Sequence, residues 1–173
     1  MARQLLAAFS ETFPAAFANA YVTATAGSLG VRETRMITGD YVLTLDDYIE
    51  RRSFDDEICR NCYFIDVHAS GRTGVLFNAE QRERLKLIYE PGESHGIPYR
   101  CLTPKGLTNV LVAGRSISCE RMVQGSVRVM PVCLAMGEAA GIAAAMAAAN
   151  DGDVHAVSTA TLRKRLVDHG ALY

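Results

Sequence analysis

The chain has 173 residues, 49% hydrophobic and 21% charged, with 18 basic side chains against 19 acidic and a net charge of −1. That suffices for one domain with a real core, or one large piece of something bigger, and it excludes intrinsic disorder, which needs low hydrophobicity and a charge imbalance. The balanced charge argues against a nucleic-acid partner, and neither a signal peptide nor a membrane span is legible: the most apolar stretch, Val129 to Asn150, is interrupted by Glu138 and built mainly of Ala, Gly and Met.

Residues 2–18 carry apolar positions at helical spacing, with Pro14 marking a break or a second start. Tyr21 to Ala26 is rich in β-branched residues and stops at Gly27, which predicts a strand. Met36 to Leu45 reads as a strand with a bulge at Gly39-Asp40, and Thr44 offers an N-cap for a short helix through Ile49. Phe54 to Cys59 reads as one helical turn, residues 62–68 as a strand and 69–84 as a polar loop. Leu85 to Tyr89 and Ile97 to Leu102 bracket a Pro-Gly connection and resemble paired strands. Asn109 to Ala113 is a continuous apolar run ending in Gly114, the pattern of a strand buried on both faces. A long helix follows from Pro131 to Ala149, and a last one from about Ser158, its N-cap, to Asp168, with Gly170 past its end. The fold class is mixed α/β (α+β), with a largely antiparallel first half.

The five cysteines are an odd number, and Cys59 with Cys62 forms a CxxC. Zinc would need a second ligand pair, yet Cys101, Cys119 and Cys133 stand singly, so no metal site is expected and the thiols read as ordinary half-buried groups. No GxSxG elbow and no P-loop lysine motif occurs. These readings together describe a soluble, cytoplasmic chain.

Chemistry concentrates between Asn109 and Gly141: a buried strand, a Gly-Arg turn, a loop, and a helix crowded with Gly137, Ala139, Ala140 and Gly141. The first amides of that helix are free donors with the positive end of the helix dipole behind them, and Arg128 stands just upstream. Such an end suits an anion or an electron-rich carbonyl.

The strand, the AGR turn and the RVMPVCLAMGEAAG helix resemble the C-terminal flavin-binding segment of FAD-dependent oxidoreductases of the glutathione reductase and fumarate reductase flavoprotein superfamily, most closely a bacterial family. The resemblance extends to GVRETR at 30–35, GDYVLT at 39–44, GIPYRCL at 96–102 and LRKRLVDHGA near the end. It implies FAD as cofactor, with Gly114 and Arg115 beside its pyrophosphate or ribityl chain, where many relatives carry Gly-Asp. It places the backbone of Arg128, Val129, Met130, Pro131 and Val132 against the flavin N1 and C2 carbonyl edge, and counts Ser126 among the cofactor-binding residues. His68, Tyr99 and Arg100 are the implied substrate-side residues, with His95, Arg32 and Arg35 as further candidates for holding a small-molecule substrate.

The superfamily's opening GxGxxG turn does not occur; Gly27 and Gly30 lack the third glycine and the later acid. The expectation is therefore the C-terminal portion of a flavoenzyme, residues 1–95 covering substrate and 96–173 contacting flavin. The missing nucleotide-binding domain would come from elsewhere in a longer protein or from a partner chain. The alternatives are a shortened, non-catalytic module that self-associates as a homodimer, and one subunit of a split flavoprotein.

Overall fold

A computed structural model describes residues 2–28, 30–67, 83 and 87–171. Its chain forms two compact units, Met1–Val31 and Arg32–Tyr173. In the first, helix α1 (Ala2–Thr12) is followed by the short α2 (Pro14–Phe17), whose leading proline lacks only an amide that a helix start leaves unpaired anyway. The Phe9 and Phe17 rings stack at 5.2 Å, and the Ser10 hydroxyl donates to the Phe17 carbonyl at 2.9 Å. Neither helix has a buried residue. Tyr21 to Ala26 is not a strand: among the described residues nothing pairs with it, and β propensity without a neighbouring strand leaves the backbone extended and exposed.

The second unit holds the core. Helix α3 (Leu45–Ile49) begins with the predicted cap: the Thr44 hydroxyl accepts from the Asp47 amide at 3.2 Å while the Asp47 carboxylate accepts from the Thr44 amide at 2.9 Å. Strand β1 (Glu57–Asn61) pairs antiparallel with β2 (His95–Pro98), Cys59 opposite Ile97 and Asn61 opposite His95. Gly96 leaves room there for the buried Glu57 carboxylate, which a Cβ would push aside and which Arg60 grips at 3.0 Å.

Three helices complete the unit's chemistry-bearing half. Helix α4 (Arg121–Val127) was not legible because Gly125-Ser126 reads as a loop. In fact Gly125 lets Val67 approach within 2.8 Å of where its Cβ would be. Helix α5 (Met130–Ala148) buries a stripe of Val132, Met136, Ala139, Ala143 and Ala147 against the core. Helix α6 (Thr159–Asp168) buries Leu162 and Leu166, and its Ser158 cap accepts from the Thr161 amide at 3.3 Å. Together with the short α3 these surround a core of Leu43, Tyr48, Ile58, Ile97, Leu102 and Ile117. By length and composition alone α5 would also suffice to cross a membrane, despite Glu138, as a core helix with a buried stripe can.

Several predicted strands are irregular instead. Met36 to Leu45 makes only isolated bridges, Gly39 with Pro104 and Leu43 with Cys119, because the Gly39-Asp40 turn breaks it and α3 begins at its end. The turn at Asp55-Asp56 leads directly into β1, so no helical turn spans 54–59, and residues 62–67 have no ladder partner among the described residues. Ile97 to Leu102 is strand only to Pro98, after which Tyr99–Cys101 closes a 3₁₀ turn. Asn109 to Ala113 is likewise not a doubly buried strand: Asn109 and Val110 are exposed, and the segment's tie to the core is the Val112 amide donating to the Leu102 carbonyl at 2.9 Å. The polar stretch 69–84, but for residue 83, and the start of the 85–89 segment lie outside the described residues.

Candidate functional site

The Gly114–Ser116 turn packs against the start of α5. Gly114 has φ +77°, which favours glycine, and a Cβ there would sit 3.8 Å from Cys133 Sγ on the first turn of that helix. The N-cap of α5, Val129, offers no side-chain bond to the first amides. Met130 and Pro131 are exposed and Val132 is buried beneath them. The structure thus brings Gly114, Arg115 and the 129–132 backbone to one place. Burial pushes the Cys133 thiol up, with the Arg115 charge pulling the other way.

Arg128 lies just before this end, with its side chain 10% exposed. Its Nη2 donates to the Asp66 carbonyl at 2.9 Å and its Nη1 stands 3.8 Å from Glu33, while Nε is buried without a partner among the described residues. Ser126 is committed to the fold: it accepts from Asn61 Nδ2 at 2.7 Å and donates to the Tyr63 carbonyl at 2.5 Å, pinning the segment after β1 to α4. Arg32 reaches Asp66 at 3.5 Å, and Arg35 is exposed.

Tyr99 and Arg100 come together on a separate cleft of about 380 Å³, lined also by Asp40, Asp56, Thr103 and His155. The Tyr99 hydroxyl donates to the Val154 carbonyl at 2.8 Å, and burial pushes its pKa up to about 12, so it holds its proton. Arg100 grips Asp56 through two nitrogens at 2.9 and 3.1 Å and lies over the Tyr41 ring. His68 lies outside the described residues. His95 is buried against Tyr48 and Tyr89, its Nδ1 hydrogen-bonded to the Tyr89 hydroxyl, and burial first, then the Arg51 charge, lowers its pKa to about 4, which keeps the imidazole neutral. The CxxC is not a paired site: Cys59 is buried, with its thiol pushed up to about 12, and Cys62 is exposed. Among the described residues no cluster fit for a metal occurs.

The cleft's most constrained group, His155, carried no sequence signal. Its Nδ1 stands 2.7 Å from Asp40 Oδ2 and its Nε2 2.9 Å from the Leu107 carbonyl, two acceptors that both ring nitrogens satisfy only as the imidazolium. The Leu107 carbonyl accordingly raises its pKa from the ordinary 6.5, against desolvation and with help from Asp40. Burial alone would raise Asp40, but the Thr103 and His155 hydrogen bonds outweigh it and lower its pKa below the ordinary 3.8. The His155 contribution to stability is complete below about pH 6.5 and is lost as pH rises through its raised value, while the Asp40 contribution is present above about pH 3.8 and is lost as pH falls through its lowered value. Replacing His155 with Leu is therefore expected to lower the urea midpoint most between these limits. A gap from the parent that stays constant between pH 5.5 and pH 9 would remove the imidazolium from the account.

Residues 1–166 match the sequence profile of the FAD dependent oxidoreductase family, while no curated protein and no solved structure matches the chain. With nearly its whole length matched, the chain belongs to the FAD dependent oxidoreductase family, a group of flavin oxidoreductases, and its cofactor is FAD.

Proposed function

We propose that residues 96–173 are the flavin-contacting part of an FAD-dependent oxidoreductase, the preceding residues contributing substrate cover. FAD, when bound, supplies the hydride acceptor or donor for a small-molecule substrate. The observation that carries this reading is the seating of the Gly114–Arg115 turn on the uncapped start of α5. The residues present fit an electron-rich heteroaromatic edge: Arg128 Nε is a buried donor without a partner, and the helix start adds free amides and the positive end of its dipole. Gly114 and Arg115 would border the ribityl or pyrophosphate region, and Val129, Met130, Pro131 and Val132 the pyrimidine edge. Arg115 stands where many relatives have an acid, so its charge would face the phosphates directly. Tyr99 and Arg100, with His68, are the substrate-side residues of this reading. The grip on the ADP half is assigned to a GxGxxG unit in a longer protein or a partner chain.

Exposed Met130 and Leu134 (80% and 74%) continue along α5 into Gly137 and Gly141, a face that leaves room for a second surface. Absorption spectra of the purified chain before and after mixing with FAD and desalting, with light scattering alongside, test the proposal. A retained band near 450 nm is expected when a GxGxxG-bearing partner is supplied, and self-association when it is not. A chain that stays a dilute monomer and takes up no flavin with any such partner would count against both parts.

A further inference from the structure

We propose that Gln124 is a positioning residue for the Gly114–Ser116 turn, an inference that rests on the flavin reading of that turn only for its functional consequence. Gln124 is 1% exposed, and its Nε2 donates to the Arg115 carbonyl at 3.2 Å and the Arg32 carbonyl at 3.4 Å. One carboxamide thereby ties the turn to the 32–35 segment. The Ser116 carbonyl accepts from the Ile37 amide at 3.0 Å, and the Ser118 amide donates to the Cys101 carbonyl at 3.0 Å, so the turn is held at successive residues and Gln124 supplies the tie at Arg115.

The other half of the carboxamide makes this more than packing. Gln124 Oε1 is buried with no hydrogen-bond partner among the described residues. A buried acceptor left alone is costly, and an apolar side chain of similar length would fill the same space without that cost. An amide at this position is accounted for by its donor end: it is the N–H groups, aimed at two backbone carbonyls, that the site uses. Arg32 and Arg115 are exposed residues, so a small local opening brings water to their carbonyls when the amide is gone. Removing the amide should therefore loosen the turn without unfolding the chain.

The test compares Gln124→Met with Gln124→Glu by amide hydrogen exchange on the whole chain. In Gln124→Met, protection of the peptide 114–118 should fall about fivefold, equivalent to ~1 kcal/mol, with protection in α5 and α6 and the melting temperature unchanged. In Gln124→Glu the carboxylate repels both carbonyls at neutral pH but donates to one of them once protonated. Protection relative to the parent should thus be low near pH 7 and recover as the pH falls through the range where the side chain gains its proton. A merely space-filling role predicts that the pH-dependent loss is spread over the whole unit, because a carboxylate in this buried position is costly wherever it ionises; a positioning role confines it to 114–118. Unchanged protection at 114–118 in Gln124→Met, or a loss spread evenly over the unit, overturns the proposal. Because exchange is read without flavin, a chain that shows the local loss yet never retains FAD even with a GxGxxG-bearing partner would sink the flavin reading and leave the positioning role standing.

Discussion

Gly39→Ala is expected to destabilise the Arg32–Tyr173 unit by about 3 kcal/mol or more, the upper range for forcing extra volume into a packed interior. A Cβ on Gly39 would stand 2.8 Å from Ser118 Cβ, 2.9 Å from the Arg100 carbonyl oxygen and 3.2 Å from the Thr103 carbonyl oxygen. Two of these three are backbone atoms, and they cannot swing aside as a side chain would. The same carbonyls receive the chain on either side: Asp40 donates to Thr103 and Tyr41 to Arg100, each at 3.1 Å. Moving them apart to admit a methyl therefore breaks the hydrogen bonds that hold the 39–41 turn on the 100–104 loop. The melting temperature should fall by roughly 6–12 °C, at about 2–4 °C per kcal/mol for a unit of this size. Gly137→Ala is the matched control. Nothing lies within 4 Å of its Cβ position, in the middle of α5, so there the methyl should stabilise by about 0.5–1 kcal/mol through helix propensity. Equal shifts for the two variants would mean that neither close approach nor helix entropy decides the outcome.

Opposite signs for one chemical change explain which parts of this molecule were legible in its sequence. Local devices were: Thr44 with Asp47, Ser158 with Thr161, and the helix that starts at Met130 and runs past Gly137 all depend on residues three or four apart. The strands were not, because a strand is defined by a neighbour and not by its own composition. Asn109 to Ala113 has the composition of a central strand but finds one backbone bond to Leu102. Glycines inside helices misled for the same reason: Gly125 belongs to α4 because Val67 needs the room, 58 positions away in a segment that reads as something else. The Gly114–α5 zone was readable as a sequence run, since turn and helix start are separated by one short loop and helix. The Asp40–His155 clasp spans 115 positions, and the Gln124 tie to Arg32 spans 92, distances at which spacing carries no signal.

Asp47→Ala should cost about 3–5 kcal/mol, because it removes a fully buried carboxylate that accepts from the Tyr41 hydroxyl and the Thr44 amide, hydrogen bonds to a charged group being worth about 1.5–3 kcal/mol each. The Asp47 side chain is fully buried, while its partner Arg52 is 43% exposed and stands 2.6 Å away. The carboxylate also accepts from the Tyr41 hydroxyl at 2.9 and 3.0 Å and from the Thr44 amide at 2.9 Å, so a single side chain caps α3 and orients an aromatic ring. Asp47→Asn keeps the volume and one acceptor for the Thr44 amide and loses the charge, so it should cost roughly half as much, about 1.5–3 kcal/mol, the range for a hydrogen bond to a charged group. Urea midpoints for the two variants and for Arg52→Ala order the contributions. Arg52→Ala should have the smallest effect, since water can reach the Arg52 side and screen the loss. The consequence reaches the cleft: Tyr41 is held between the Asp47 carboxylate and the Arg100 guanidinium, whose carbon lies 4.9 Å over its ring. Loosening Tyr41 frees Arg100 from one of its two supports and leaves only the Asp56 pair to hold it. An Asp47→Asn variant as damaged as Asp47→Ala would place the whole effect in the charge; one indistinguishable from the parent would place it in the volume and the cap.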